Sequence, residues 1–463
     1  MANTTTSSRA MLDGPLFKSI LFYTIPIILT GILQLLFNAA DLVVVGRFCG
    51  EISVAAVGNA GTVTSLIVNL FIGLSVGAGV IAAQELGARR YEEVDKLIST
   101  ALTSSIIGGL VVMIFGIVMA EPLLLLMDTP EDVLAEAVPY MRAYFCGMPG
   151  CLVYNYMAAI LRSSGDTKRP LFFLTAAGVV NVILNLVMVL GFGMGAIGVG
   201  IATAASQYVA AGATLIYMSK TKTSLRLAGF KVYGKKLLRM VTIGLPAGLQ
   251  GCMFSLSNVI IQSAVNSYPT VVIAGNTAAG NLEGFVYTAM NSVYHAALTF
   301  IGQNVGAGKF ERIKKIAFQC AGMVLVIGLA LSGLLVFFGD KLLLIYASGE
   351  NRDLIVQAGM NRLSIIAATY FLCGLMDVGC GILRGMGKAV EPMIVSLLGS
   401  CVFRIIWVFT VCPLFPGQIM ALYISYPISW IVTGGVHYIF CVYFYRKLMK
   451  RKKQAELSAP ATT

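Results

Sequence analysis

The chain has 463 residues, 57% of them hydrophobic and only 12% charged, with a formal net charge of +12 and a mean hydropathy of +0.84. A soluble chain of this length needs far more charge to cover its surface. The balance excludes a soluble globular protein and points to one that crosses a membrane many times.

The opening stretch, MANTTTSSRAMLDGP, carries no signal-peptide pattern. The apolar run behind it is too long for a cleavable leader, so it is expected to stay as a helix. From Phe17 onward, runs of about 20 apolar residues recur, the length that spans the hydrocarbon core. Twelve are predicted, at 17–46, 52–83, 97–120, 134–158, 170–191, 196–219, 238–263, 270–301, 314–338, 355–381, 391–412 and 417–445. With no water in the bilayer core each run must satisfy its own backbone, so each is expected to be helical. The predicted architecture is all-α, with six-helix bundles at 17–219 and 238–445 and a basic linker at 220–237. Tails at 1–16 and 446–463 complete the chain. Twelve helices suffice for a monomer. The ten cysteines, Cys146 and Cys151 included, show neither CxxC spacing nor metal-ligand company, and no metal, redox cofactor or pairing is implied.

Basic residues orient the chain. Of 33 Lys and Arg, 27 fall on the side that holds both termini: in 1–20, 84–97, 162–169, 219–239, 309–315, 384–388 and after 445. The opposite side takes Arg47, Arg142, Lys341, Arg352 and Arg362, and Arg404 falls inside a helix. By the positive-inside rule both termini are cytoplasmic. The basic excess is then a topology signal and a solvated rim beside anionic lipid, and argues against nucleic acid as a partner.

The two halves repeat. Gln84-Glu85-Leu86-Gly87-Ala88 matches Gln303-Asn304-Val305-Gly306-Ala307 at an offset of 219, with Tyr91-Glu92 against Phe310-Glu311 behind it. Leu161-Arg162-x-x-Gly165 with Pro170 matches Leu383-Arg384-x-x-Gly387 with Pro392 at an offset of 222. Pro26 and Asn38 meet Pro246 and Asn258 at 220. Six helices per half give both halves the same direction, so the repeat is parallel, a pseudo-twofold along the membrane normal. Such duplicated bundles in transporters hold substrate in a central cleft and expose it to each side in turn.

The order of these motifs resembles the MATE (multidrug and toxic compound extrusion) family over about residues 12 to 447. Pro26 and Asp41 in the first span, Gln-Glu-x-Gly-Ala after the second and Leu-Arg-x-x-Gly after the fourth carry the likeness. So do Asn181 in the fifth span and Gly198-x-Gly-x-Ala-Thr203 in the sixth. The resemblance implies an antiporter that exports amphipathic organic cations on an inward flow of H⁺ or Na⁺, without a cofactor. It also implies a cation site at Asp41, with Na⁺ as one occupant. Many members carry a second Asp where this chain has Asn185, which leaves Asp41 as the main titrating group. NorM-like members carry a Glu near Ser255 and an Asp near Gly374. This chain offers Ser255, Asn258 and Gln262, and Asp377 one turn on, so the comparison tilts toward the DinF-like bacterial branch.

Charges near the bilayer centre cost at least about 2.5 kcal/mol and so need a reason. Gln34, Asn38 and Asp41 fall at i, i+4 and i+7, one stripe of the first span. Neutral hydrogen-bonding groups beside a buried carboxyl can hold its proton or a small cation, and Asn181, Asn185 and Thr203 are expected to join them. Glu283, Tyr287, Asn291 and Tyr294 form a stripe on the eighth span, where a carboxylate among tyrosine faces suits a lipophilic cation. Neighbouring His295 is expected to be a packing residue. Asp377 and Arg404, on the tenth and eleventh spans, are expected to pair, since either alone is costly. Flexible Met and Phe side chains would give a pliable cleft.

A runner-up is a flippase for a lipid-linked oligosaccharide, which needs several buried basic groups for pyrophosphate, and only Arg404 is clearly intramembrane in sequence. An enzyme is disfavoured: His295 and His437 are the two histidines, with no HExxH or GxSxG motif, and no GxxxxGK[ST] loop supports an ATP-driven pump. Composition alone leaves a channel or receptor open, but the two-fold repeat favours alternating access. The absence of a soluble domain fits a bacterial cytoplasmic membrane.

Overall fold

The computed structural model describes residues 11–346 and 351–458. The expected tails before residue 11 and beyond 458 lie outside those residues. The helices are α1 (Leu16–Phe48), α2 (Glu51–Gly87), α3 (Tyr91–Leu126), α4 (Glu131–Cys146), α5 (Met148–Ser163), α6 (Lys168–Leu186), α7 (Gly195–Lys220) and α8 (Gly234–Val265). After them come α9 (Thr270–Gly306), α10 (Phe310–Leu343), α11 (Arg352–Arg362), α12 (Phe371–Gly385), α13 (Val390–Ser396), α14 (Phe403–Thr410) and α15 (Ile419–Ser458).

The all-α membrane fold stands, with helical structure over every predicted span. Among the described residues nine helices are long and apolar enough to cross a membrane, and two bent pairs raise the number to eleven. The remaining predicted span is α9, 37 residues long, whose hydropathy is diluted by Asn276, Glu283, Asn291 and His295. The fourth and tenth predicted spans are not single straight helices. Between α4 and α5 the axis bends by 44°, and between α11 and α12 by 42°. The first bend falls at Gly147-Met148-Pro149, where proline lacks the N–H that would continue the ladder. The second follows a π-helical turn at Leu363–Ala367. Of two further π turns, Val187–Gly191 ends the fifth span and Leu397–Val402 interrupts the eleventh, one in each half.

The chain divides into two compact units. The division runs inside helices: α1 up to Thr24 belongs with the unit that resumes at Met253, while α8 up to Cys252 belongs with the unit that starts at Ile25. In the first unit the core gathers Val45, Ala56, Ala60, Met141, Phe145 and Met148 from α1, α2, α4 and α5. α2 and α8 meet there through small residues. A Cβ on Gly73 would strike the backbone of Gly248, and one on Gly77 the Met240 carbonyl and Gly244. Glycines four apart on both helices thus let two backbones touch, which is how membrane helices gain packing where lipid offers no hydrophobic drive.

The repeated motifs cap helices rather than follow them. Gln84-Glu85-Leu86-Gly87 is the last turn of α2, and the chain reverses at Arg89 with φ +57°. The second copy ends α9 and reverses at Gly308, φ +68°, the position equivalent to Arg89. Gly165 and Gly387, the repeated glycines of Leu-Arg-x-x-Gly, stand at φ +90° and +81°, a conformation that glycine takes without a Cβ clash.

The copies hold different partners. Glu85, 3% exposed, accepts from Lys236 Nζ at 2.9 Å and Arg239 Nη1 at 3.0 Å, and Gln84 accepts from Arg239 Nη2 at 2.6 Å. In the second unit Asn304 stands where Glu85 does and donates to the Met11 carbonyl at 3.3 Å, while Lys309 pairs with Asp13 and Arg312 donates to the Gly14 carbonyl at 3.1 Å. Lys236, expected on the solvated rim, is therefore buried.

Because Gly77 has no room for a methyl, Gly77→Ala is expected to destabilise the protein by roughly 1–3 kcal/mol. Gly58→Ala, at a helical glycine with open space around its Cβ position, should be neutral or slightly stabilising. Thermal unfolding of both variants in detergent micelles checks the contrast.

Candidate functional site

In the first unit, four polar side chains from three helices close a ring. Asp41 Oδ1 accepts from Asn185 Nδ2 at 2.5 Å and Asp41 Oδ2 from Thr203 Oγ1 at 3.5 Å. Asn185 Nδ2 also reaches Asn181 Oδ1 at 3.4 Å, and Asn181 Nδ2 reaches Thr203 Oγ1 at 3.3 Å. α1 carries the acid, α6 presents Asn181 and Asn185 one turn apart, and α7 supplies the hydroxyl. The two asparagines are buried, Asn185 completely. The structure thus brings Asp41, Asn181, Asn185 and Thr203 together. It does not bring Gln34 and Asn38 to them: both are exposed on α1 and make no hydrogen bond to Asp41. A common helical stripe fixes the side of a helix but not its partners: α6 meets α1 at Phe37, against Gly178, and at Asp41, while Gln34 and Asn38 stay exposed.

The ring is neutral apart from the acid. Among the described residues no Lys or Arg is within ion-pair distance of Asp41. Asn185 Oδ1 is buried without a hydrogen-bond partner. An ionised Asp41 accepts from the amide, and a protonated Asp41 could donate to Oδ1 after the amide turns over, so the same four residues accommodate either state. A Na⁺ ion would find only oxygen ligands here: the carboxylate, the two amide oxygens and the hydroxyl, the donor type that hard cations take. Among the described residues no cluster of three or more His, Cys, Asp or Glu side chains could hold a metal ion.

In the second unit the stripe of α9 divides among three partners. Arg362 clamps Glu283 with Nε to Oε1 at 3.1 Å and Nη2 to Oε2 at 2.7 Å, and its Nη1 donates to Asn276 at 2.7 Å. Tyr423 adds its hydroxyl to Asn276 at 3.3 Å. Tyr287 and Asn291 hydrogen-bond Asp377 on α12. Tyr294 accepts from Arg384 Nη1 at 2.6 Å. Glu283 is therefore not an open charge for a lipophilic cation, because a forked guanidinium already neutralises it.

The expected pair of Asp377 with Arg404 does not form. Asp377 feels Arg384, two turns along its own helix, as its main cation, whereas Arg404 Nε donates to Ser429 on α15 at 2.8 Å. Residues seven apart on a helix share a face, so Arg384 can act on Asp377 from its own helix, while Arg404 directs its Nε to Ser429 of α15. Arg384 lies just beyond a predicted span and reads as part of the basic rim. Arg362 is inside the span predicted at 355–381, yet the charge count assigns it to the outer side, so neither stands out as a buried base in the sequence. The polar run Asn276, Glu283 on α9, which demands a buried donor, is the signal that could have found Arg362. His437 is buried as well, its ring nitrogens at 3.1 Å from the Met376 carbonyl and 3.3 Å from that of Pro392, a packing arrangement.

Breaking the clamp from one side leaves an uncompensated charge, and Arg362→Met is expected to cost about 3 kcal/mol. The double variant Glu283→Gln/Arg362→Met should recover most of that loss. A double-mutant cycle on detergent unfolding midpoints measures the difference.

Comparison with known proteins gives a consistent family. The family model described as MatE matches the chain twice, over residues 26–187 and 246–410, in step with the internal repeat. The chain is similar to the Probable multidrug resistance protein YoeA of Bacillus subtilis (strain 168), 25% identical with 95% of each chain covered. It is also similar to the Probable multidrug resistance protein YpnP of the same organism, 27% identical over 85% of this chain and 87% of that one. Among solved structures, a MOP superfamily transporter from Pyrococcus furiosus superposes with a TM-score of 0.90 at 21% identity, covering 96% of this chain and 99% of that one, a likeness of fold.

Proposed function

We propose that this chain, which belongs to the MatE family of transporters, is a secondary antiporter that exports amphipathic organic cations by alternating access. The protein is an integral membrane protein with relatives named as multidrug resistance proteins. The proposed driving force is an inward flow of H⁺ or Na⁺, with Asp41 as the coupling carboxylate.

The observation that supports this reading is the ring around Asp41. An acid in a membrane-spanning helix, lacking any basic partner among the described residues, must bind a proton, a small cation or a cationic substrate to lower its cost. Those occupants are mutually exclusive at one carboxylate. Exclusion is what an antiporter needs: the arrival of one cation favours the departure of the other, and a gradient of the first then drives the second. Asn181, Asn185 and Thr203 orient the acid and adapt to its protonation by amide rotation and hydroxyl reorientation.

The distribution of basic residues supports cytoplasmic termini and a place in a bacterial cytoplasmic membrane. Membrane lipid and the transported cations are the partners this reading needs, and a single chain suffices. The flippase alternative requires several basic groups for pyrophosphate. Of the buried arginines of the second unit, Arg362 is committed to Glu283 and Arg384 donates to Tyr294, which leaves Arg404 alone to serve it.

In proteoliposomes, an imposed pH or Na⁺ gradient should drive ethidium efflux, and the gradient that works names the ion. Asp41→Asn keeps the hydrogen-bonding shape and removes the titrating charge, so gradient-driven efflux should fall by at least about 10²-fold, in keeping with loss of an essential proton-transfer group. Efflux at the parent rate in a folded Asp41→Asn protein would remove Asp41 from the mechanism.

A further inference from the structure

Arg404 is the buried charge that this transport reading leaves without a task. It belongs to the second unit, is 4% exposed and lies just beyond the end of the π turn at Leu397–Val402. Its guanidinium lies 4.2 Å from the Tyr426 ring centroid and 5.5 Å from that of Trp430, and Tyr370 packs on Trp430 at 5.4 Å. Nε donates to Ser429, but Nη2 is buried without a hydrogen-bond partner. No carboxylate lies within ion-pair distance among the described residues.

Aromatic faces stabilise a guanidinium from above and below its plane, but they do not accept its in-plane N–H donors. The buried carboxylates of this unit are already matched by other groups: Glu283 takes the fork of Arg362, and Asp377 takes hydrogen bonds from Tyr287 and Asn291 with Arg384 as its main cation. Arg404 is therefore a surplus cation with an unspent donor in an apolar setting. Buried orphan donors are rare in folded proteins and call for a reason. The internal repeat sharpens the point. At the offset of 222, Arg404 falls against Val182, one residue from the Asn181 of the Asp41 ring. Where the first half builds around a lone acid, the second half carries a lone base. π turns such as the one before Arg404 also recur at functional sites.

We propose that Arg404 and its aromatic wall form an anion-recognition subsite for an aromatic compound that carries a carboxylate or phosphate, zwitterions included. Nη2 donates to the acid oxygen, the cationic charge matches it, and Tyr426, Trp430 and Tyr370 take the apolar body. The guanidinium's planar fork suits either acid. Recognition at this subsite goes beyond cation export and does not depend on Asp41.

The chain has two tryptophans, Trp407 and Trp430, so Trp407→Phe leaves Trp430 as the sole reporter beside the guanidinium. The full chain in nanodiscs is titrated with benzoate, phenyl phosphate and neutral benzamide while Trp430 emission is followed, with no gradient applied. The expected result is a saturable response to at least one acid, with benzamide weaker by about tenfold or more, the scale of one charge-assisted hydrogen bond. The tighter acid names the anionic group. Arg404→Gln should abolish the response and Arg404→Lys restore part of it, which a merely structural arginine would not do. Equal binding of benzamide and the acids, no response to any of the three, or unchanged acid binding by a folded Arg404→Gln protein overturns the proposal. Should Arg404→Gln fail to fold, the acid-against-amide comparison in the Trp407→Phe protein decides it. Because no transport is measured, failure here is separate from failure of the Asp41 test.

Discussion

A charge inside a membrane-spanning bundle must find a counter-charge, be held neutral or wait for a ligand, and the polar architecture of this protein follows from that constraint. The second unit satisfies it with the Glu283–Arg362 fork, braced by Asn276 and Tyr423. Buried pairs of this kind add little net stability over an apolar replacement, yet removing either partner is costly. Their value lies in fixing which side chains face one another. With Arg362 fixed on Glu283, the rest of the α9 stripe is free to serve Asp377 and Arg384, and Arg404 is left outside the network.

The first unit answers the same constraint in the opposite way. Asp41 meets amides and a hydroxyl but, among the described residues, no base, so its charge is left for what binds there. A neutral polar ring is the less stable solution and the more responsive one. It can be satisfied with or without a proton because asparagine and threonine both donate and accept. The contrast between a matched unit and a responsive one separates the residues that hold the fold from those that can carry transport.

Duplication provided one backbone and then allowed the side chains to diverge. Arg89 and Gly308 share a left-handed turn, as do Gly165 and Gly387, so the helix ends are preserved in geometry. Glu85 and Asn304 occupy the same place with different chemistry. One binds two basic side chains from the start of α8, and the other binds the backbone at Met11. In each unit the motif serves as a dock for a helix entrance, and the sign of its side chain follows from what enters.

The amino-acid sequence by itself determined the helices, the repeat and the membrane setting. Hydrocarbon allows few backbone solutions, so run length and composition decide them, and a 20-residue apolar run needs no tertiary information to be recognised. Together with the family resemblance it also pointed to Asp41, Asn181, Asn185 and Thr203, because polar groups one turn apart in an apolar run have few other partners. Only the tertiary structure decided which charges meet. Gln34 and Asn38 share a stripe with Asp41 but not its partners, Glu283 is clamped by an arginine that the charge count assigns to the outer side, and Asp377 and Arg404 turn to different neighbours. The physical reason is that helical periodicity fixes a side chain's face along one helix, whereas pairing depends on the rotation and bend of the helix opposite. Those are set by glycine contacts such as Gly77 on Gly244 and by π turns and proline bends, whose effects are not local in the chain.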